Sequence, residues 1–121
     1  MKKANLVLII VTALLCLTMQ GCADVKVSEA AAVKFHQQYN DRQFVQIYAE
    51  AGESLKKEYT EAEMIDKLEK IYQEMGPEVS THESAWKSAN GWIFLDYDTE
   101  FRNGRKSERL IYSIEKGVPA L

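Results

Sequence analysis

Gly76-Pro77 divides the sequence into two parts with different hydrophobic periods, and that switch constrains the fold more than any other feature. Before it, Met64, Ile65, Leu68, Ile71, Tyr72 and Met75 recur at helical spacing and so line one helix face. Thr60-Glu61-Ala62-Glu63 opens that helix as a capping box, in which hydroxyl and carboxylate each satisfy an otherwise orphaned amide. Gly76-Pro77 ends it, because proline cannot continue a helix. Beyond that point the period falls to two. Trp92 to Arg102 reads as a strand, Asn103-Gly104 as a type I′ turn, and Arg105 to Glu115 as the returning strand. A Ser/Thr-rich strand over 79–87 precedes them, joined through an Asn90-Gly91 turn signal.

The hairpin carries a register expectation. With Asn103-Gly104 as the two-residue loop, Arg102 faces Arg105, Tyr97 meets Leu110, Leu95 meets Tyr112, and Ile93 meets Ile114. These apolar pairs share the face that a buried sheet needs. On the other face the same count sets Asp98 against Arg109, while Trp92, Phe94 and Ile111 make one end of that face apolar.

Upstream, Ser28 is a candidate N-cap with Glu29 in the first turn, and Ala32, Phe35, His36 and Tyr39 fall on one helical face. Asn40-Asp41 reads as a break, with Asp41 capping a short helix whose apolar face is Phe44, Ile47, Tyr48 and Ala51. Gly52 ends it. Residues 53–59 supply another helical turn or two. Helices followed by antiparallel strands predict the α+β class, with N-terminal helices packed on one face of a curved sheet.

Phe35-His36-Gln37-Gln38-Tyr39, the "FVQIYAEA" of Phe44 to Ala51 and the "YDTEFRNGRKSERLIYSIEKG" of Tyr97 to Gly117 resemble the cystatin-like, nuclear transport factor 2-like superfold. More narrowly, they resemble small bacterial lipoproteins with that fold. The resemblance implies architecture and no particular chemistry, since the wider fold serves isomerases, dehydratases and non-catalytic binding modules. Such domains usually finish with a full strand after the last hairpin. Here Lys116-Gly117 turns the chain and Val118-Pro119-Ala120-Leu121 follows, so the last strand is expected to be truncated.

The N-terminus addresses location. Lys2 and Lys3 precede Ala4 to Met19, sixteen residues without a charge. That run is short of the roughly 20 residues of a membrane-spanning helix and suits a cleaved signal peptide better than an anchor. Met19-Gln20-Gly21-Cys22 resembles the lipobox of bacterial lipoproteins, although Met19 and Gln20 stand where leucine and a small residue are usual. The resemblance implies cleavage before Cys22 and lipidation of its thiol. Ordinary signal cleavage before Asp24 is the alternative. The expected organisation is therefore a signal peptide over 1–21, a lipidated tether over 22–27 and one domain over 28–121. Several acyl chains on Cys22 would make a lasting anchor. Cys16 leaves with the signal, so no disulfide pair remains. Localisation is then the extracytoplasmic side of the cell envelope. Ala23, where an aspartate is absent, resembles the outer-membrane class if the host is diderm.

Charge narrows the partners. Removing Lys2 and Lys3 from the 15 basic residues leaves 13 against 18 acidic ones, a formal charge of −5. A domain with that balance lacks the basic footprint of a nucleic-acid binder or of a protein held to anionic lipid by charge. The expected partners are the membrane, through lipid on Cys22, and an envelope protein or small apolar ligand.

No constellation in the sequence carries chemistry by its spacing. His36 and His82 lie far apart, without H-x-E or C-x-x-C spacing, so neither a metal nor another cofactor is expected. His36 reads as a packing histidine and His82 as a surface one. Asp96 and Asp98 share a strand face, and the bland reading makes Asp98 an ion-pair partner and Asp96 a solvated group. Trp86, Trp92 and Phe94 are candidate contacts with a ligand or partner. The expected function is a non-catalytic binding module. The alternative is a small isomerase- or dehydratase-like enzyme with a cone-shaped pocket, using His36 or Asp96 as a base.

Overall fold

The computed structural model describes residues 23–115 and 118–120. Four helices come first: α1 over residues 23–40, α2 (Phe44–Glu50), α3 (Glu53–Glu58) and α4 (Glu61–Met75). Four strands follow, β1 (Glu78–Ala89), β2 (Trp92–Phe101), β3 (Gly104–Glu115) and β4 (Val118–Ala120), forming one antiparallel sheet in the order β1-β2-β3-β4. The chain is α+β, with its helices packed on one face of the sheet.

Two apolar clusters join these layers. In the first, Val25 and Ala32 of α1 pack on Ile93, Leu95, Tyr97, Leu110 and Tyr112 of the sheet. In the second, Tyr39, Phe44, Ile47, Leu68 and Met75 surround Phe101 at the turn end of β2. Phe35 packs against both. The helical period on one side and the period of two on the other aim these residues at each other. Cutting a buried leucine such as Leu95 to alanine costs about 2–5 kcal/mol, so this seam is what makes the layers one unit.

The N-terminal helix differs from its expected start. Residues 23–27, expected as tether, are already helical, and Val25 is buried in the first cluster. Ser28 therefore lies inside α1, fully buried, and does not cap it. The helix ends in a Schellman arrangement: Gln43 N–H donates to Gln38 O and Arg42 N–H to Tyr39 O, with Arg42 left-handed at φ 55°. Asp41 thus belongs to the end of α1. Gln43, with no side-chain cap bond, precedes α2. Arg42 is held there by Glu69 at 2.7 Å and by the face of the Tyr72 ring. The Thr60 capping box is formed as expected, Thr60 N–H donating to Glu63 Oε2 and Glu63 N–H to Thr60 Oγ1.

The β2–β3 register is shifted by two residues from the expected one. Phe101 faces Gly104, Leu95 faces Leu110, Ile93 faces Tyr112, and Arg109 faces Asp96 instead of Asp98. A two-residue shift keeps every side chain on its face, so the buried set is unchanged. Arg102-Asn103 forms the loop, and neither residue has a positive φ, which excludes a type I′ turn there. Two forces favour this arrangement. Asn103 N–H donates to Met75 O, its side chain donates to Glu74 O, and Arg102 N–H donates to Pro77 O, so the loop satisfies carbonyls at and just beyond the C-terminus of α4. The outer face also gains: Glu100 pairs with Arg105, Asp98 accepts from Ser107, and Arg109 grips Asp96 with two bonds at 2.7 and 2.9 Å. The expected register would have set Arg102 against Arg105, a like-charge pair.

β1 pairs with β2 through a type I′ turn at Asn90-Gly91, where φ is 52° and 79°. Its register is interrupted between Glu78 and Ser80 and again between Glu83 and Ala85.

Candidate functional site

The inward face of β2 reads Ile93, Leu95, Tyr97, Thr99, Phe101, and its one hydroxyl amino acid without an aromatic ring, Thr99, is almost wholly buried. Next to it on β3, two positions from Leu110 on the same face, stands Glu108. Thr99 Oγ1 donates to Glu108 Oε2 at 2.6 Å. The same oxygen lies 3.1 Å from His36 Nε2, which α1 lowers onto the sheet from the turn next to Ala32. His36 Nε2 is also 3.5 Å from Glu78 Oε2, at the first residue of β1. One helix and two strands thus bring together three groups separated by 42 and 30 residues of chain.

The cluster is largely dry. The side chains of His36 and Glu78 are each 8% exposed and that of Glu108 is 22% exposed, so Glu108 forms its solvent side. His36 is further fixed by edge-on contacts with the Phe35 and Tyr97 rings, centroids 5.5 and 5.3 Å away. Asn40 clamps the Glu78 backbone in both directions, accepting from its N–H at 2.7 Å and donating to its carbonyl at 3.1 Å. Burial pushes the Glu78 carboxyl above the ordinary carboxylate range, the nearby Glu108 adds to this, and His36 opposes it. Tyr39, whose hydroxyl donates to Gly76 O, is pushed up to about 12, chiefly by burial and then by Glu108. Burial and Glu83 likewise push Tyr97 to about 12. Among the described residues, His36, Glu78 and Glu108 form a group whose ligand atoms could hold a metal ion.

Phe35 turns the other way, into an apolar cavity of about 270 Å³ between the helices and β3. Ile47, Tyr48, Leu55, Met64 and Leu68 come from the helices, Ala51 from the link between α2 and α3, and Leu110 and Ile111 from β3. Arg109 is the charged residue on this wall, and Asp96 already holds its guanidinium.

The residues singled out in the sequence are dispersed. Cys22 and the 1–21 segment lie outside the described residues. Trp86 and Phe94 line a second pocket of about 250 Å³ on the sheet with Asp96 and Arg109, while Trp92 stands outside it at the end of β2. Trp86 and Trp92 are both exposed. His82 is exposed on β1 opposite Asp98. Asp96 is held below the usual carboxylate range by its bonds to Arg109. His36 was the one member of the buried cluster that the sequence singled out. Glu78 and Glu108 were missed, although Glu108 interrupts the apolar face of β3.

Among the described residues no helix is long and apolar enough to cross a membrane. No protein-family model matches the chain, and no curated protein matches it significantly.

Proposed function

We propose that this protein is a non-catalytic binding module, held at the cell envelope by lipid on Cys22, that takes a small apolar molecule into the cavity behind Phe35. The observation that carries this reading is the cavity: about 270 Å³, walled by aliphatic and aromatic side chains from α1, α2, α3, α4 and β3. That volume is just below the range for drug-sized ligands, so it suits a short acyl chain or a single aromatic ring. Polar specificity is sparse, as Tyr48 directs its hydroxyl to Tyr59 O and Arg109 is occupied by Asp96. A proton-transfer enzyme would need a free acid or base on the cavity wall, whereas Tyr48 and Arg109 there are already engaged by Tyr59 and Asp96. His36 faces the sheet instead, which favours binding over catalysis. The order of helices and antiparallel strands is compatible with the cystatin-like, nuclear transport factor 2-like architecture, which we take as its fold family.

Titration with N-phenyl-1-naphthylamine, a probe that brightens in apolar sites, tests the pocket. Saturable binding at one equivalent, displaced by a medium-chain alcohol and lost in Ala51→Trp, is the expected result. Absence of saturable binding, or equal binding by a folded Ala51→Trp variant, would sink the reading. For the anchor, Cys22→Ser should abolish palmitate labelling and release the protein from membranes; persistent labelling would refute lipidation at that residue.

A further inference from the structure

The His36–Glu78–Glu108 cluster has a deficit that the fold does not resolve. Two carboxylates meet there, and His36 Nε2 lies within 3.5 Å of both. His36 Nε2 can offer a single hydrogen, and Glu108 Oε2 at 3.1 Å is the closer acceptor. Glu78 Oε2 is left buried with no hydrogen-bond partner, aimed at the same nitrogen. A buried carboxylate oxygen without a partner is costly, and the fold nevertheless pins it by clamping the Glu78 backbone through Asn40.

The spacing of the three groups suggests what completes them. Their ligand atoms all lie within 4.8 Å of one another, with His36 Nε2 at 3.1 and 3.5 Å from the two carboxylates. Zinc bonds of about 2.0–2.1 Å in tetrahedral geometry place neighbouring ligand atoms roughly 3.3 Å apart. Two carboxylates balance a divalent charge, and imidazole with carboxylate is a donor set that zinc accepts. Thr99, donating to Glu108 Oε2, orients that ligand from behind.

The geometry points to a zinc site built from His36 Nε2, Glu78 and Glu108, separate from the apolar cavity. On binding, the Nε2 proton leaves or passes to Nδ1, because only the unprotonated nitrogen can ligate. The partly exposed Glu108 side supplies access from solvent.

The test is calorimetric titration of the purified, tag-free full chain with zinc chloride in a non-chelating buffer, with circular dichroism to show that each variant folds. One equivalent should bind at micromolar or tighter concentration and raise the melting temperature. Glu78→Gln and Glu108→Gln should each weaken binding at least tenfold, and His82→Asn, on the exposed face of β1, should leave it unchanged. Glu108→Gln alters the more exposed ligand, so it reports even if Glu78→Gln does not fold. Failure of the wild type to take up zinc saturably overturns the proposal. So does uptake retained within threefold by the folded variants, which would place the ion on other carboxylates.

Discussion

Asn90-Gly91 and Asn103-Gly104 are the same dipeptide between consecutive strands, and they adopt different turns. The first is open around its glycine, where an added Cβ would meet nothing within 4 Å. Both of its residues take positive φ and the local preference for a type I′ turn is realised. The second abuts the end of α4. Its asparagine spends its amide and side chain on Met75 and Glu74 carbonyls, and the loop moves to Arg102-Asn103. A turn propensity worth about a kilocalorie decides the geometry where nothing competes and yields where several tertiary bonds do.

Four experiments press on that difference. The largest effect is expected from Gly76→Ala, which attacks the α4 end that holds the second turn. Gly76 has φ +75° and its added Cβ would come within 3.1 Å of Arg102 Nε. Strain and clash together should cost about 2 kcal/mol, read as a lower urea midpoint, and the Asn103 amide should lose hydrogen-exchange protection. Unchanged protection would mean that the second turn forms without α4. Gly91→Ala should cost about 1 kcal/mol by the same denaturation measurement, from its left-handed φ alone. A neutral result would remove local propensity as the cause of the first turn.

Asn103→Ala deletes the bond to Glu74 O and should cost about 0.5–1 kcal/mol, whereas Asn90→Ala should slow hairpin closure without touching α4. The smallest effect concerns the register itself. Asp96 has its folded-state midpoint lowered by Arg109, so it adds stability above the ordinary aspartate range, and this is lost as pH falls through the lowered midpoint. NMR titration of Asp96 should show that depression, and Arg109→Gln should abolish it. An Asp96 midpoint indifferent to Arg109 would restore the register in which Asp98 is the partner.

The register was legible in principle. Both candidate alignments put the same residues inward, so the apolar face could not choose between them. The outer face could: one alignment sets Arg102 against Arg105, and the other joins Glu100 to Arg105 and Asp96 to Arg109. Weighting the Asn-Gly signal above those charges led to the wrong turn. The α4 capping box was read correctly because its bonds span three residues. The polar cluster was half legible. Strand alternation places Glu108 on the buried face in either register, and a carboxylate there needs a partner, for which His36 on the apolar face of α1 was available. Glu78 could not be placed, since its alignment depends on irregularities in β1 that no residue pattern announces.

Those irregularities have a consequence for how the molecule meets its own copies. β1 ends the strand order and, among the described residues, pairs on one side only. Twelve residues of straight strand with an open edge would invite a second chain to add itself by main-chain bonding. The two register shifts divide it into regular runs of four residues, Ser80 to Glu83, and five, Ala85 to Ala89. Each shift twists the strand and misaligns the donors on either side of it, and Lys87 sets a charge in the longer run. The two kinks thus make the open edge a poor template for strand addition by a second copy of this protein.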